Sequence, residues 1–323
     1  RTTTAVINDA PADASHTGLN QKGRYNDHHH HAQGFGSSSI GNVYRGSRGL
    51  PNAGKWGVTV HGTHDALIER NIAIDFPGSG FVTEDGYEVR NVFRKNFAAY
   101  ILGASGGEAA KMHMAGGQPG IEGAGFWLHG VMGSLLENEV WSSTVGIDFF
   151  STQIVAGMYP SVPGGVLDIA VTNVPAEHHL LRAVEVRGNV TASNDFAGIE
   201  YWDVNPFPVV DHIASYNSAL NIFAPIAENL PYLVDATIVC KGGVGSGISS
   251  AGPYVHELTV EGGRIGGCAE GLSGGGAHTV LFKNVRMQNV INLNWNWGGF
   301  GFIPREIVTD GVVHVPYPGK PKE

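Results

Sequence analysis

Long apolar runs are missing from this 323-residue chain. No stretch of about 18 apolar residues occurs, so no helical membrane span is expected. Charge is scarce as well: Asp, Glu, Lys and Arg make up 15% of the residues, against roughly 25% in ordinary globular proteins. The formal net charge is −9, which argues against a general nucleic-acid binder, because neutralising phosphates takes clustered Lys and Arg. A polyanionic substrate would need a bound cation or a local basic patch. Only two cysteines are present, Cys240 and Cys268, so a disulfide scaffold is excluded. Their spacing suits one bridge or two buried thiols in neighbouring repeats, and the compartment stays open on this evidence. Helical patterning is absent, with no convincing stretch of apolar residues at i, i+3, i+4 and i+7. P-loop, G-x-S-x-G, H-E-x-x-H and C-x-x-C signatures are absent too. The chain starts at Arg1 without a methionine or signal peptide, as expected of a processed or excised piece of a larger precursor.

What is present is glycine and short β-type runs. The 47 glycines are about one residue in seven, roughly twice the usual share, without a three-residue period. They read as tight turns between many short strands. One phrase recurs: an aliphatic pair, one or two polar residues, Asn or Gly, then another apolar residue. It appears at Leu67-Ile68…Asn71-Ile72, Val92-Phe93…Asn96-Phe97, Leu135-Leu136…Asn138 and Leu281-Phe282…Asn284-Val285. Asn71 and Asn96 stand 25 residues apart, Asn189 and Asn217 28, and Asn138 and Asn189 51. A repeat of this length marks an all-β fold, the right-handed parallel β-helix, a solenoid whose coils bury their apolar faces by stacking. Asn at the turns fits, since it tolerates αL and can ladder with Asn in the next coil. A β-sandwich or barrel is the rival, but its repeat would carry a length and no phrase; a propeller needs a longer period. The whole chain, 1–323, is expected to form a single domain with repeating coils over 24–310. Segments 103–123 and 151–180 are expected as inserted loops that could wall a binding groove.

The histidines are uneven: nine of 15 fall within the first 129 residues. In Asp27-His-His-His-His31 a strand would send His28 and His30 to one face, presenting two imidazoles to one metal ion. His61, Glu84 with Asp85, His129 and Asp148 follow near the ends of later apolar runs. Stacked in phase, these would form a column of neighbours about 5 Å apart. Imidazole and carboxylate together suit Zn, Fe, Cu, Mn or Ni better than Ca. Single histidines such as His64 and His113 read as surface or ladder residues, and Asp85-Gly86 reads equally well as a turn. Trp127, Trp141, Trp202, Trp295 and Trp297 are sugar-stacking or core residues. Arg24, Arg90, Arg94, Lys95 and Lys111 lie in the same half and could meet an acidic sugar, or simply face solvent.

The segments Arg24-Tyr-Asn-Asp-His28-His-His30, Val58-Thr-Val-His61-Gly62 and Gly80-Phe-Val-Thr-Glu84-Asp85-Gly86 resemble the central β-helix of the cell-migration-inducing hyaluronan-binding protein and transmembrane hyaluronidase family. Phe126-Trp127, Gly157-Met-Tyr159 and His212-Ile-Ala-Ser-Tyr-Asn217 extend the likeness over roughly residues 24–222. Asn26 stands where that family carries proline. The resemblance implies a right-handed β-helix, a secreted or cell-surface setting and a link to hyaluronan or a related glycan. It makes Arg24, His28, His30, His61, Glu84 and Asp85 candidates for a shared site.

The expected activity is therefore metal-assisted polysaccharide degradation, by hydrolysis or elimination. His28, His30 and His61 would hold a divalent metal, with His129 as a fourth ligand. Asp85 or Glu84 would serve as ligand or general base, and Arg24 would neutralise charge. Trp127, Trp202, Arg94 and Lys111 are the candidate substrate contacts. The alternative is a non-catalytic glycan-binding or adhesin solenoid with a structural histidine site.

Overall fold

A computed structural model describes residues 25–30, 32, 37–46, 56–84, 88–103, 120, 123–129, 133–150, 185–202, 209–226, 232–250, 255–274, 277–289, 291–294 and 306–315. Its thirty strands, β1 to β30 in chain order, form three ten-stranded sheets, and every strand pairing is parallel. Each coil gives one strand to each sheet. The first coil is β1 (Tyr25–His30), β2 (Ser38–Ile40) and β3 (Val43–Arg45); the second is β4 (Trp56–His61), β5 (Leu67–Glu69) and β6 (Ile72–Ile74). This is the parallel β-helix that the repeat demands. Among the described residues no helix is long and apolar enough to cross a membrane.

The turn between the second and third sheets repeats in all ten coils. One residue has positive φ and, except after Gly262, where Gly263 also has positive φ, the next turns its side chain inward. The positive-φ column runs Gly41, Arg70, Lys95, Glu137, Gly188, His212, Asp235, Gly262, Asn284 and Gly311. Six of these ten carry a Cβ, so the turn does not demand glycine. The inward column begins Asn42, Asn71, Asn96, Asn138 and Asn189. Each of the first four takes its backbone N–H and its amide Nδ2 to the Oδ1 of the next, as from Asn96 to Asn138 at 2.9 and 3.0 Å. Of the two roles expected for Asn, Asn42 to Asn189 take the ladder, and Asn284 alone in this turn takes the left-handed position. The separations along the ladder are 29, 25, 42 and 51 residues. The two long ones carry the extra chain expected at 103–123 and 151–180, most of which lies outside the described residues. Asn189 is followed in register by Ile213, not Asn217, which occupies a different turn.

Glycine has a second use. Gly57, Gly80, Gly125, Gly146 and Gly198 stack in consecutive strands of the first sheet, inside strands rather than at turns. A Cβ on Gly80 would lie 2.6 Å from the Gly125 carbonyl oxygen and 3.3 Å from the Ala98 Cβ. The first sheet passes close to the third there, which explains the small inward residues Ala73 and Ala98. Elsewhere the interior is apolar, with Val58, Val60, Ile68, Phe81, Phe126, Ile147 and Ile199 all fully buried. Removing a side chain the size of Phe126 from water contributes about 1.5–3 kcal/mol.

The first coil departs from this. Where the second coil places Val58, Val60, Ile68 and Ala73 inward, the first places Asp27, His29, Ser39 and Tyr44. Ser39 and Tyr44 donate hydroxyl hydrogens to Asp27 Oδ2 at 2.6 and 2.5 Å. His29 Nδ1 pairs with the Ser37 hydroxyl. Burial, and then the hydrogen bond to Asp27, push the Tyr44 phenol up to about 12. Hydrogen bonds here replace the apolar core. A disulfide joins Cys240 to Cys268 in adjacent coils near the far end, which decides between the two expected states of the thiols.

Candidate metal centre

The outer face of the first sheet carries two parallel columns. β1 alternates, so His29 is buried while His28 and His30 are exposed. His30 pairs in register with His61. Glu84 follows because its N–H donates to the Val60 carbonyl, and His129 follows because its N–H donates to the Thr83 carbonyl. The first column is therefore His30, His61, Glu84 and His129, one residue per coil. The second runs His28, Thr59, Val82, Trp127, Asp148 and Glu200. Asp148, expected in the histidine column, stands in this neighbouring one.

His28, His30 and His61 converge. One ring nitrogen from each lies within 4.8 Å of the others, and the ring centroids are 4.9, 5.6 and 4.7 Å apart. His61 Nδ1 lies 3.3 Å from Glu84 Oε2, and Tyr25 donates its hydroxyl to Glu84 Oε1 at 3.0 Å. The Tyr25 ring stacks on Trp56 at 4.9 Å and meets the His28 edge at 4.7 Å. The crowding has an electrostatic result. Burial among these rings, then the charge that His30, His61 and His29 would carry, lower the His28 pKa to about 4. Burial lowers His29 as well. At neutral pH the His28 imidazole is neutral and keeps a lone pair for a metal ion. A set of nitrogen donors fits Zn, Cu, Ni, Fe or Mn better than Ca, which takes oxygen shells.

The other expected residues fall in different places. His129 is not in the converging trio; its Nδ1 donates to the Glu84 carbonyl at 2.8 Å and its ring tilts against Trp127 at 5.3 Å. Trp127 is 1% exposed, packed against Trp56 and Phe150, so it presents no open stacking face. Arg94 ends β8 (Val92–Arg94) in the second sheet, away from the histidines, where Glu69 accepts from its Nη2 at 3.0 Å. His64 is buried and its Nδ1 accepts the Val89 N–H at 3.1 Å, a ladder role as expected. Arg24, Asp85, Lys111 and His113, and the Trp202 side chain, lie outside the described residues.

Sequence reasoning missed Tyr25 and Glu200. A signal for Glu200 exists: strands of the first sheet begin with a residue, a glycine and an apolar residue, as in Trp56-Gly-Val, Ala124-Gly-Phe and Ala197-Gly-Ile. Counting two on from each glycine lands on Thr59, Val82, Trp127, Asp148 and Glu200; counting four on lands on His61, Glu84 and His129. Asp148 and Glu200 are in register on neighbouring strands and almost wholly buried. A further group, Asp211, His212 and Asp235, lies on the exposed turn after the second sheet. There His212 Nδ1 lies 2.5 Å from Asp211 Oδ1 and its Nε2 3.8 Å from Asp235 Oδ2.

Comparison with known proteins agrees with the fold. The family model described as "CEMIP beta-helix" matches residues 10–199. Human Fibrocystin-L is 46% identical over 44 residues, 14% of this chain and 1% of its own length. Two G8 domain-containing proteins of Dictyostelium discoideum are 35% identical over 82 residues and 27% over 154, which is 25% and 45% of this chain and 6% and 13% of theirs. The chain thus spans a small part of these curated relatives. No solved structure matches.

Proposed function

The chain belongs to the CEMIP beta-helix family, and from that premise we propose that it degrades a polysaccharide on the outer face of its first sheet, assisted by a divalent cation. His28, His30 and His61 would hold the cation. The observation that carries this reading is their convergence from two coils, with ligand atoms within 4.8 Å. A cation at such a site supplies Lewis-acid polarisation or a bound water of lowered pKa. The low His28 pKa keeps that nitrogen available well below neutrality.

The family likeness makes hyaluronan or another acidic glycan the candidate substrate. With a net charge of −9, the protein would need the cation, helped by Arg24, to offset the substrate's charge. Asp85 is the candidate base, and Lys111 and Trp202 keep their place as candidate substrate contacts. Whether the bond breaks by hydrolysis or by elimination turns on where a base sits relative to the sugar. A secreted or cell-surface setting accords with the Cys240–Cys268 bridge, since disulfides persist in oxidising compartments.

The test is elemental analysis of the purified chain together with a panel of polysaccharides, hyaluronan included. The expected result is one equivalent of a transition metal, with release of reducing ends or unsaturated sugars that chelation and His61→Ala both abolish. Absence of bound metal after loading overturns the proposal. Metal binding without cleavage of any glycan favours the second reading, a glycan-binding or adhesin module in which the cation is structural. The observation on its side is that the ligands join the first coil to the second, as a staple would.

A further inference from the structure

We infer that Glu84 is a positioning residue: its carboxylate acts through His61, turning that imidazole toward the cation shared with His28 and His30, while Tyr25 holds Glu84 in place. The inference rests on the metal reading above and assigns the ligands' supporting groups.

Glu84 stands one coil beyond His61 in the same column, so its carboxylate reaches the ring from about one strand spacing away. Oε2 lies 3.3 Å from His61 Nδ1, and the two side chains are 12% and 18% exposed. From that distance a hydrogen bond donated by Nδ1–H to the carboxylate would fix the tautomer and leave Nε2 as the metal-binding nitrogen. A carboxylate behind a ligating histidine is the usual way in which protein metal sites orient the ring and raise its basicity. The other oxygen of Glu84 accepts the Tyr25 hydroxyl at 3.0 Å. One Glu84 oxygen is taken by Tyr25 and the other faces His61, and the converging donor group among the described residues is His28, His30 and His61 without Glu84.

Tyr25 makes this support reach across coils. It lies on β1, the strand that carries His28 and His30, while Glu84 belongs to the third coil, 59 residues away. The ring stacks on Trp56 at 4.9 Å, and Trp56 donates its indole N–H to the Gly120 carbonyl at 2.5 Å. The same ring meets His28 edge-on. Tyr25 therefore touches one ligand directly and another through Glu84.

The test uses Co(II) as a visible-absorbing probe and Zn(II) by competition, on the full chain. Wild type is expected to bind one Co(II). Glu84→Ala is expected to weaken binding about 10- to 100-fold and shift the Co(II) spectrum. Glu84→Gln, whose amide oxygen still accepts from His61, should recover part of the affinity, and Tyr25→Phe should show a smaller loss. Circular dichroism of the metal-free variants separates misfolding from loss of support; should the alanine variant not fold, the glutamine and phenylalanine variants carry the test. If wild type binds neither ion, the metal reading falls and this inference with it. If wild type binds and Glu84→Ala binds equally with the same spectrum, only this inference is overturned. Loss in Glu84→Gln as complete as in His61→Ala would make Glu84 a ligand and overturn it too.

Discussion

Replacing Asn138 with alanine puts the asparagine ladder to a quantitative test. Asn138 has no exposed surface and its side chain makes four hydrogen bonds. Its Oδ1 accepts from the Asn96 backbone N–H at 2.9 Å and from Asn96 Nδ2 at 3.0 Å; its Nδ2 donates to Asn189 Oδ1 at 3.0 Å and to the Phe93 carbonyl at 2.9 Å. In the alanine variant the Asn96 N–H loses its acceptor while still buried, which costs about 1–3 kcal/mol. Asn96 Nδ2 keeps the Ile68 carbonyl, and Asn189 Oδ1 keeps the Asn138 N–H, so those groups lose only part of their bonding. With the Phe93 carbonyl the total comes to roughly 3–5 kcal/mol, a large share of the 5–15 kcal/mol that holds a typical domain. Asn138→Asp should be worse, since an oxygen would then face the Asn189 and Phe93 oxygens. Glu137→Ala, one residue earlier and solvent-exposed, should cost under about 1 kcal/mol. Urea denaturation followed by far-ultraviolet circular dichroism measures all three. A loss below about 1 kcal/mol in Asn138→Ala would refute the ladder as a source of stability.

Acid should weaken the metal-free protein. His28 and His29 have lowered pKa values in the fold, His28 at about 4, so the unfolded chain takes up protons first as pH falls through about 6.5. Stability is then expected to decline from about pH 6.5 toward pH 4, and a melting temperature flat over that window would contradict the assignment. His28→Gln should flatten the profile. Cutting the Cys240–Cys268 bridge, which closes a 28-residue loop, should cost about 3–4 kcal/mol on the chain-entropy account. Denaturation of a Cys240→Ser/Cys268→Ser variant reads it directly.

Much of the fold was legible because a solenoid repeats its solution: the aliphatic pair and the Asn between two short strands recur in coil after coil, and the period follows. The detail of the turn was less legible. Asn both tolerates a left-handed backbone and can ladder, and the sequence did not say which residue would do which; the backbone places the left-handed conformation on Arg70, Lys95, Glu137 and Asn284, and turns Asn71, Asn96 and Asn138 inward to bond their neighbours. The glycines misled for a related reason, since several sit inside strands where sheets approach, not between strands. At the site, His28, His30 and His61 come together as their spacing on strands implied. Burial and sheet membership were not readable from spacing. Trp127 is covered because Trp56, His129 and Phe150 pack against it, and Arg94 sits on a different sheet because the phrase around it belongs to the second strand of its coil. Tyr25 escaped notice because its partner, Glu84, is two coils away.

The hydrogen-bonded interior of the first coil has a thermal consequence for the candidate centre. Asp27, His29, Ser39 and Tyr44 give that coil little hydrophobic adhesion, whereas the second coil is anchored by Val58, Val60 and Ile68. Two of the three converging imidazoles therefore ride on the coil with the less apolar interior, and the third on its better-anchored neighbour. Were this seam to open first, the donors would separate before the solenoid as a whole came apart, so the readiness of the centre depends on adhesion between these two coils as well as on the stability of the stack.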